Sequence, residues 1–146
     1  MEVKVTDAIF GEMTYKHRWF KDYTLQLFEK EWCVTLVAKA YSGKPITDEQ
    51  RTSFTTFQEN EKEYANIAGN LVMEYINANC EELAATWLGA RMVSNIEGLN
   101  QIVVPKTLLI KQDGTTVLLL NCPWDEHGLA VQFIPEIRIG REEIYV

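Results

Sequence analysis

The sequence predicts an α+β fold, in which an antiparallel sheet carries helices packed on one side. Two groups of strand-like segments, joined by very short connections, lie at the two ends of the chain and alternate between apolar and polar residues. Between them lies a long amphipathic segment that begins with a helix-capping pattern at 47–50. No repeat, low-complexity segment or linker interrupts the chain, so we expect a single domain over residues 1–146.

The N-terminal segments predict a three-strand meander that follows a short first strand. A break at 10–12 ends that first strand, and the next segment places His17 on its apolar face beside tyrosine and tryptophan. Because the connections are so short, the three strands of the meander should be antiparallel neighbours. The predicted strands and turns are 13–19, Lys21-Asp22, 23–27, Glu29-Lys30 and 32–40.

The middle of the chain predicts one long helix, or two helices with a bend, and then one short helix. The Thr47 hydroxyl and the Gln50 side chain form a capping box at the start of the long helix. A single apolar stripe follows, and residues 60–63 could cap a second helix at a bend. The long and short helices are predicted over 47–78 and 79–89.

The C-terminal segments predict a second meander. Asp113-Gly114 lies between two apolar runs, which is a strong hairpin signal. The pattern over 90–101 is weak and indicates a connecting loop, a type of segment that often carries function. The predicted strands are 107–111, 115–120, 129–134 and 137–139, with Gly140 ending the last one.

Composition excludes several classes of protein. Hydrophobic residues are 47% and charged residues 24% of the 146, as in soluble globular proteins, and no apolar run approaches the roughly 18 residues that cross a bilayer. The first residues lack the basic and apolar blocks of a signal peptide, so we expect a cytoplasmic protein. Three widely spaced cysteines without a Cys-x-x-Cys pair predict reduced, mostly buried thiols.

The charge balance indicates what kind of partner is compatible with the surface. The 21 acidic and 14 basic residues give a net charge of −7. Nucleic acids and anionic membranes attract positive surfaces, so we expect neither as a partner. A basic protein partner is compatible with this charge.

The stretch from Trp124 to Gly128 concentrates the side chains that could carry chemistry. Asp125, Glu126 and His127 are all capable of binding a metal, and His17 could add a ligand from elsewhere in the chain. The structural interpretation is a hairpin corner, in which Gly128 adopts a positive φ and the neighbouring side chains cap the turn. We favour the structural interpretation, and predict no metal and no cofactor.

No other motif predicts catalysis. The sequence contains no Gly-x-Ser-x-Gly elbow, no His-Glu-x-x-His helix and no glycine-rich phosphate loop. We therefore predict no catalytic residue, although a small metal-dependent or acid/base enzyme centred on Asp125, Glu126 and His127 stays open as the alternative.

The segment Trp124 to Val131, with Phe133 and Ile139-Gly140 after it, resembles the C-terminal hairpin of a group of small uncharacterised bacterial domains of unknown function. Their motif reads Trp-Asp-x-Glu-His-Gly, whereas Asp125 and Glu126 are adjacent here. The start at 10–13 and the capped helix are also similar. Proteins similar to these are often regarded as immunity or accessory proteins of bacterial toxin systems, so the resemblance implies a bacterial cytosolic module and favours binding over catalysis.

We therefore predict a non-catalytic, cytoplasmic protein-binding module whose partner is a basic protein such as a cognate toxin. The partner-binding candidates are acids on the outer helix face, Glu59 and Glu63, and Glu97 in the 90–101 loop. The Trp124 to Gly128 turn is a weaker candidate. A purely structural or oligomeric role of a sheet edge is a third possibility.

Overall fold

An eight-stranded sheet carries the fold, and its strands lie side by side in sequence order. The structure is a computed structural model that describes residues 3–40, 44–79, 96–123 and 125–146, and of residues 96, 97 and 125–127 it describes the backbone alone. The strands are β1 Val3–Asp7, β2 Gly11–Tyr15, β3 Trp19–Leu27, β4 Lys30–Ala38, β5 Val104–Ile110, β6 Thr116–Cys122, β7 Asp125–Ile134 and β8 Arg138–Arg141. All neighbouring strands are antiparallel except β4 and β5, which are parallel. The predicted α+β class is confirmed, and the two meanders join into one sheet through the parallel pair.

The predicted long helix is two helices. They are α1, Asp48–Glu59, and α2, Glu61–Ala78. Asn60 separates them, but its side chain donates back to the Thr56 carbonyl at 2.9 Å and does not cap α2. The short helix predicted over 79–89 lies outside the described residues from position 80 onward. Single helical turns follow at α3, Ile96–Leu99, and α4, Glu142–Tyr145, and no helix in the described ranges is long and apolar enough to cross a membrane.

The capping box at the start of α1 is confirmed, and it also fixes the helix to the sheet. The Thr47 N–H donates to Gln50 Oε1 at 2.9 Å, and the Gln50 N–H donates to Thr47 Oγ1 at 3.2 Å. The fully buried Gln50 amide donates to the carbonyls of Lys39 and Ile110 at 2.9 and 3.1 Å. These carbonyls lie where the parallel strands β4 and β5 end, so Gln50 ties the helix to both strands at that point.

The first turn of the N-terminal meander differs from the prediction. Lys21-Asp22 lies inside β3, and the chain turns at 16–18 instead. Tyr15 and Trp19 are directly opposed across this hairpin and lie on the same face of the sheet. The alternation of apolar and polar residues therefore continues through the turn, so the sequence gives no sign of it. The prediction that His17 packs on the inner face is wrong, because His17 is exposed in the turn with a φ of +69°.

The main core lies between α1, α2 and one face of the sheet. Strands contribute every second residue to it, as the alternation predicted. Members with no more than 1% exposure include Phe54 and Phe57 of α1, Val72 and Ile76 of α2, and Leu36, Leu108, Leu118 and Val131 of the sheet. On the opposite face, Tyr145 of α4 packs over Val117, Leu119 and Ala130. The C-terminal residues, which were not predicted to be helical, thus cover part of the second face.

The cysteines are less buried than predicted. Cys33 and Cys122 are reduced thiols, and Cys33 is exposed whereas Cys122 is partly buried. Cys33 alternates with Val34, which faces the core, so its side chain lies on the outer face of β4.

Candidate functional site

The predicted motif forms the hairpin between β6 and β7, which we name the motif corner, residues 122–128. Cys122 pairs with Asp125 across this hairpin. Leu120 pairs with Leu129, which leaves three residues of β7 opposite one residue of β6. The extra residues form a bulge, a distortion that increases the local twist of a strand pair.

Gly128 makes this bulge possible. Its φ is +94°, as the structural interpretation predicted, and a Cβ at this position would lie 2.4 Å from the Leu120 carbonyl oxygen. Left-handed backbone costs an L-residue about 1–2 kcal/mol, and such an overlap would add to that cost. The glycine of the motif is therefore explained by the fold alone.

A half-buried ion pair lies beside the corner. Lys106 Nζ lies 2.7 Å from Glu142 Oε1, and these side chains are 30% and 18% exposed. No donor among the described residues forms a hydrogen bond with Glu142 Oε1. The contact with Lys106 is therefore an ion pair without hydrogen-bond geometry. Lys106 Nζ is also 3.4 Å from the position that a Gly128 Cβ would occupy. The pair joins β5 to α4 beside the motif corner.

The side chains of the motif lie outside the description. This applies to Trp124 altogether and to Asp125, Glu126 and His127 beyond their backbone, so their ligand or metal role stays a prediction. The side chains that are described include no group of three or more His, Cys, Asp or Glu residues that could hold a metal ion.

His17 cannot complete a site with His127, because the two lie at opposite ends of the sheet. The ladder pairs Trp19 with Ala38, Ala38 with Ile110, Ile110 with Thr116 and Thr116 with Ile134. His17, two residues before Trp19, therefore lies near the same end of the sheet as Ile134. Ile134 is seven residues from His127 along β7, and seven residues of a strand span about 23 Å.

A second candidate site, which the sequence did not predict, is a groove of about 620 Å³ between the β3–β4 hairpin and α2. The hairpin contributes residues 26–29, and the helix contributes Glu61, Lys62, Ala65, Asn66 and Asn70. Apolar atoms of Leu27, Phe28 and Ala65 lie beside carboxamide and charged groups. We name this site the hairpin groove.

The turn at the edge of the hairpin groove has an unusual backbone. The two-residue loop was predicted at Glu29-Lys30 and consists of Phe28 and Glu29, with φ values of +54° and +57°. Loops of this type favour Asn-Gly or Gly-Gly, because other residues are strained at positive φ. The Trp32 indole donates to the Leu27 carbonyl at 2.8 Å, and the Asn100 amide donates to the Phe28 carbonyl at 3.0 Å. Phe28 itself is 3% exposed, so packing and hydrogen bonds hold the strained turn.

Tyr23 holds one acid of the groove in place. Its hydroxyl donates to Glu61 Oε1, and its ring packs edge-on against Phe54. Burial raises the pKa of Tyr23 well above its ordinary value, and the hydrogen bond and charge of Glu61 raise it further. Tyr23 therefore remains a neutral hydrogen-bond donor to this carboxylate.

Two of the three predicted partner-binding acids lie beside the groove in sequence and are exposed. Glu59 ends α1 and Glu63 lies in the first turn of α2, on either side of the groove residue Glu61. The segments 29–31 and 59–63 together hold five glutamates and two lysines, and of these Glu29, Glu61 and Lys62 line the groove. One of those lysines, Lys30, lies 4.6 Å over the Trp32 ring. The backbone of Glu97 lies in α3, and its side chain is not among those described.

Comparison with known proteins gives a family and no function. The model of one family, described as Domain of unknown function (DUF6985), matches residues 9–146. No curated protein and no solved structure matches the chain. The predicted membership of an uncharacterised family is thus confirmed, whereas bacterial origin and similarity to immunity proteins stay predictions.

Proposed function

Because the chain belongs to the DUF6985 family, whose function is unknown, we propose from its geometry that it is a non-catalytic protein-binding module and that the hairpin groove is its binding face. The observation that carries this proposal is a groove of about 620 Å³ whose edge is a strained two-residue turn. Strained backbone clusters at binding and catalytic sites, where the surrounding structure maintains it.

The chemistry of the groove supports binding. Its volume falls within the range of roughly 300–1,000 Å³ that is common for binding pockets. Ala65 offers a partly exposed apolar surface, while Gln26, Asn66 and Asn70 offer donors and acceptors that orient a ligand. The hydrogen bonds to Leu27 and Phe28 hold the turn in one conformation, which reduces the entropy lost when a partner binds.

The acidic surroundings favour a basic partner. Glu59 and Glu63 are exposed beside the groove residue Glu61, and Glu97 completes the set of candidate acids. Complementary charge raises the rate of association and excludes partners of like charge. A bacterial, cytoplasmic setting with a toxin as the basic partner is the specific form of this proposal.

Affinity capture from the cells of origin tests the binding face with a matched pair of variants. Asn70→Arg places a long cation in the groove, and Glu74→Arg places the same side chain one helical turn away on an exposed position of α2. We expect wild-type protein and Glu74→Arg to capture a partner in stoichiometric amount, and Asn70→Arg to lose it. Quantitative mass spectrometry of the captured proteins measures this difference. Capture that is equal for all three proteins would place the binding face elsewhere.

The alternative function is a small metal-dependent or acid/base enzyme centred on Asp125, Glu126 and His127. The observation that favours it is the half-buried Lys106–Glu142 ion pair beside the bulge, because buried charges near titratable groups alter their acidity. Calorimetric titration with Zn²⁺ and Mn²⁺, together with unfolding of His127→Ala, tests it. Metal binding that His127→Ala abolishes would support the enzyme, whereas no metal binding combined with unchanged stability would remove it.

A further inference from the structure

We propose that the occupant of the hairpin groove is an extended segment of polypeptide that carries Lys or Arg at alternate positions. This inference rests on the proposed binding function and specifies the partner. Two independent observations carry it: the spacing of the amides along α2 and the charge around the groove.

The amide spacing matches an extended chain. Asn66 and Asn70 are four residues apart on α2, both are exposed and both line the groove. Four residues rise about 6 Å along a helix. Two residues of an extended strand advance about 6.6 Å, and the backbone groups that face one side repeat at this interval. Each carboxamide both donates and accepts, so the two can bond peptide groups that lie two residues apart on the same side of one segment.

The charges determine which side chains that segment carries. Glu29 lies on the hairpin wall and Glu61 on the helix wall, so the groove has a carboxylate on each side. Alternate side chains of an extended segment point the same way, so cations at alternate positions would all point into the groove, between the acids of its two walls. Lys62 also lines the groove, so the lining holds two carboxylates and one cation. This acidic excess and the net charge of −7 of the whole chain repel phosphate backbones, which argues against a nucleic acid as the occupant.

Tyr23 acts as a positioning residue in this arrangement. Its hydroxyl bonds Glu61 Oε1 and leaves the second carboxylate oxygen for the partner. Removing the hydroxyl would free Glu61 to adopt other rotamers without removing any group that lines the groove.

The test is a selection from random 12-residue peptides displayed on phage, followed by fluorescence anisotropy with the best selected peptide. The variants are Glu29→Gln/Glu61→Gln, which removes both charges but keeps the length and the acceptor for Tyr23, and Asn66→Ala/Asn70→Ala, which removes the amides. Glu74→Gln removes the same charge from an exposed position of α2 outside the groove and is the matched control. Tyr23→Phe tests the positioning role.

We expect the selected peptides to be enriched in Lys or Arg at alternate positions. Binding should weaken at least tenfold in Glu29→Gln/Glu61→Gln and several-fold in Asn66→Ala/Asn70→Ala, and less than twofold in Glu74→Gln. The charge variant should also lose most of the salt dependence of binding, which the amide variant keeps. Tyr23→Phe should weaken binding two- to fivefold.

Three outcomes would overturn the inference: peptides without enriched cations, basic peptides that bind the charge variant as well as the wild type, or no selected peptide at all. Failure of the proposed function is separate, since it shows in affinity capture. If Asn70→Arg abolishes capture of a partner but the selected peptides lack cations, the hairpin groove would still be the binding face. The proposal of a basic segment would then be wrong.

Discussion

The motif corner and the hairpin groove both depend on left-handed backbone, and they meet this requirement with opposite residues. At the corner, Gly128 has a φ of +94° where a Cβ would overlap the Leu120 carbonyl. At the groove, Phe28 and Glu29 have φ values of +54° and +57°, although glycine would be less strained there. The fold explains the glycine, whereas nothing in the packing of the described residues requires a glutamate at position 29.

An unusual residue in a turn has one of two origins, a structural requirement or a functional one. A residue type that the backbone conformation at its position requires has a structural role, and this explains the glycine of the motif. A residue that its backbone disfavours indicates a second demand, and we propose that the exposed carboxylate of Glu29 on the groove wall meets this demand by binding a partner.

The largest expected effect is at the corner. Gly128→Ala should lower the free energy of unfolding by about 2–5 kcal/mol, because it adds an overlap with the backbone to the cost of left-handed φ. Gly11→Ala is the matched control, since Gly11 has a φ of +76° but its Cβ would meet only Lys21 Nζ, at 3.6 Å. That variant should lose only about 1–2 kcal/mol. Urea unfolding of both variants gives the comparison, and equal losses would show that the bulge tolerates a side chain.

The second effect is at the groove and depends on pH. Tyr23→Phe removes the hydrogen bond to Glu61 and should lower the free energy of unfolding by about 1–2 kcal/mol at pH 8. The pKa of Tyr23 is raised in the folded state, so the unfolded chain loses this proton first, from about pH 10 upward. The stabilisation is therefore fully present below pH 10 and is lost as the pH rises above it.

Urea unfolding from pH 8 to pH 11 measures this dependence as the difference between wild type and Tyr23→Phe, which cancels the titration of lysines common to both proteins. The difference should shrink by about 1.4 kcal/mol for each pH unit above 10. A difference that stays constant to pH 11 would show that Tyr23 ionises as easily in the folded protein as in the unfolded chain, and the positioning role would then lose its support.

Local chemistry allowed much of the fold to be predicted. The Thr47–Gln50 capping box and the Asp113-Gly114 hairpin each depend on neighbouring residues, and both form as predicted. The turn at 16–18 was missed because Tyr15 and Trp19, on either side of it, share a face.

The groove could not be predicted, because its two walls are more than thirty residues apart in the sequence. Only its helical wall left a signal, the polar row of Lys62, Asn66 and Asn70 at intervals of four. The β3–β4 hairpin lies opposite this row only after the sheet and α2 have packed together. The acids Glu59 and Glu63 were predicted from their exposure on a helix, and the groove next to them was not.

The smallest expected effect has the opposite sign and tests the comparison most directly. Glu29→Asn keeps a polar side chain but tolerates left-handed backbone, so it should raise the free energy of unfolding by about 0.5–1 kcal/mol. Glu31→Asn makes the same change in the extended backbone of β4, where asparagine is disfavoured, and should leave stability unchanged or slightly lower.

Urea unfolding and peptide anisotropy on the same two variants show whether stability and binding oppose each other at position 29. If Glu29 serves the partner, Glu29→Asn should be more stable and should bind the basic peptide several-fold more weakly, while Glu31→Asn changes binding less. A Glu29→Asn protein that is more stable and binds equally well would show that the groove does not use this carboxylate. A protein that is no more stable than Glu31→Asn would show that the turn bears no strain, and the contrast with Gly128 would then disappear.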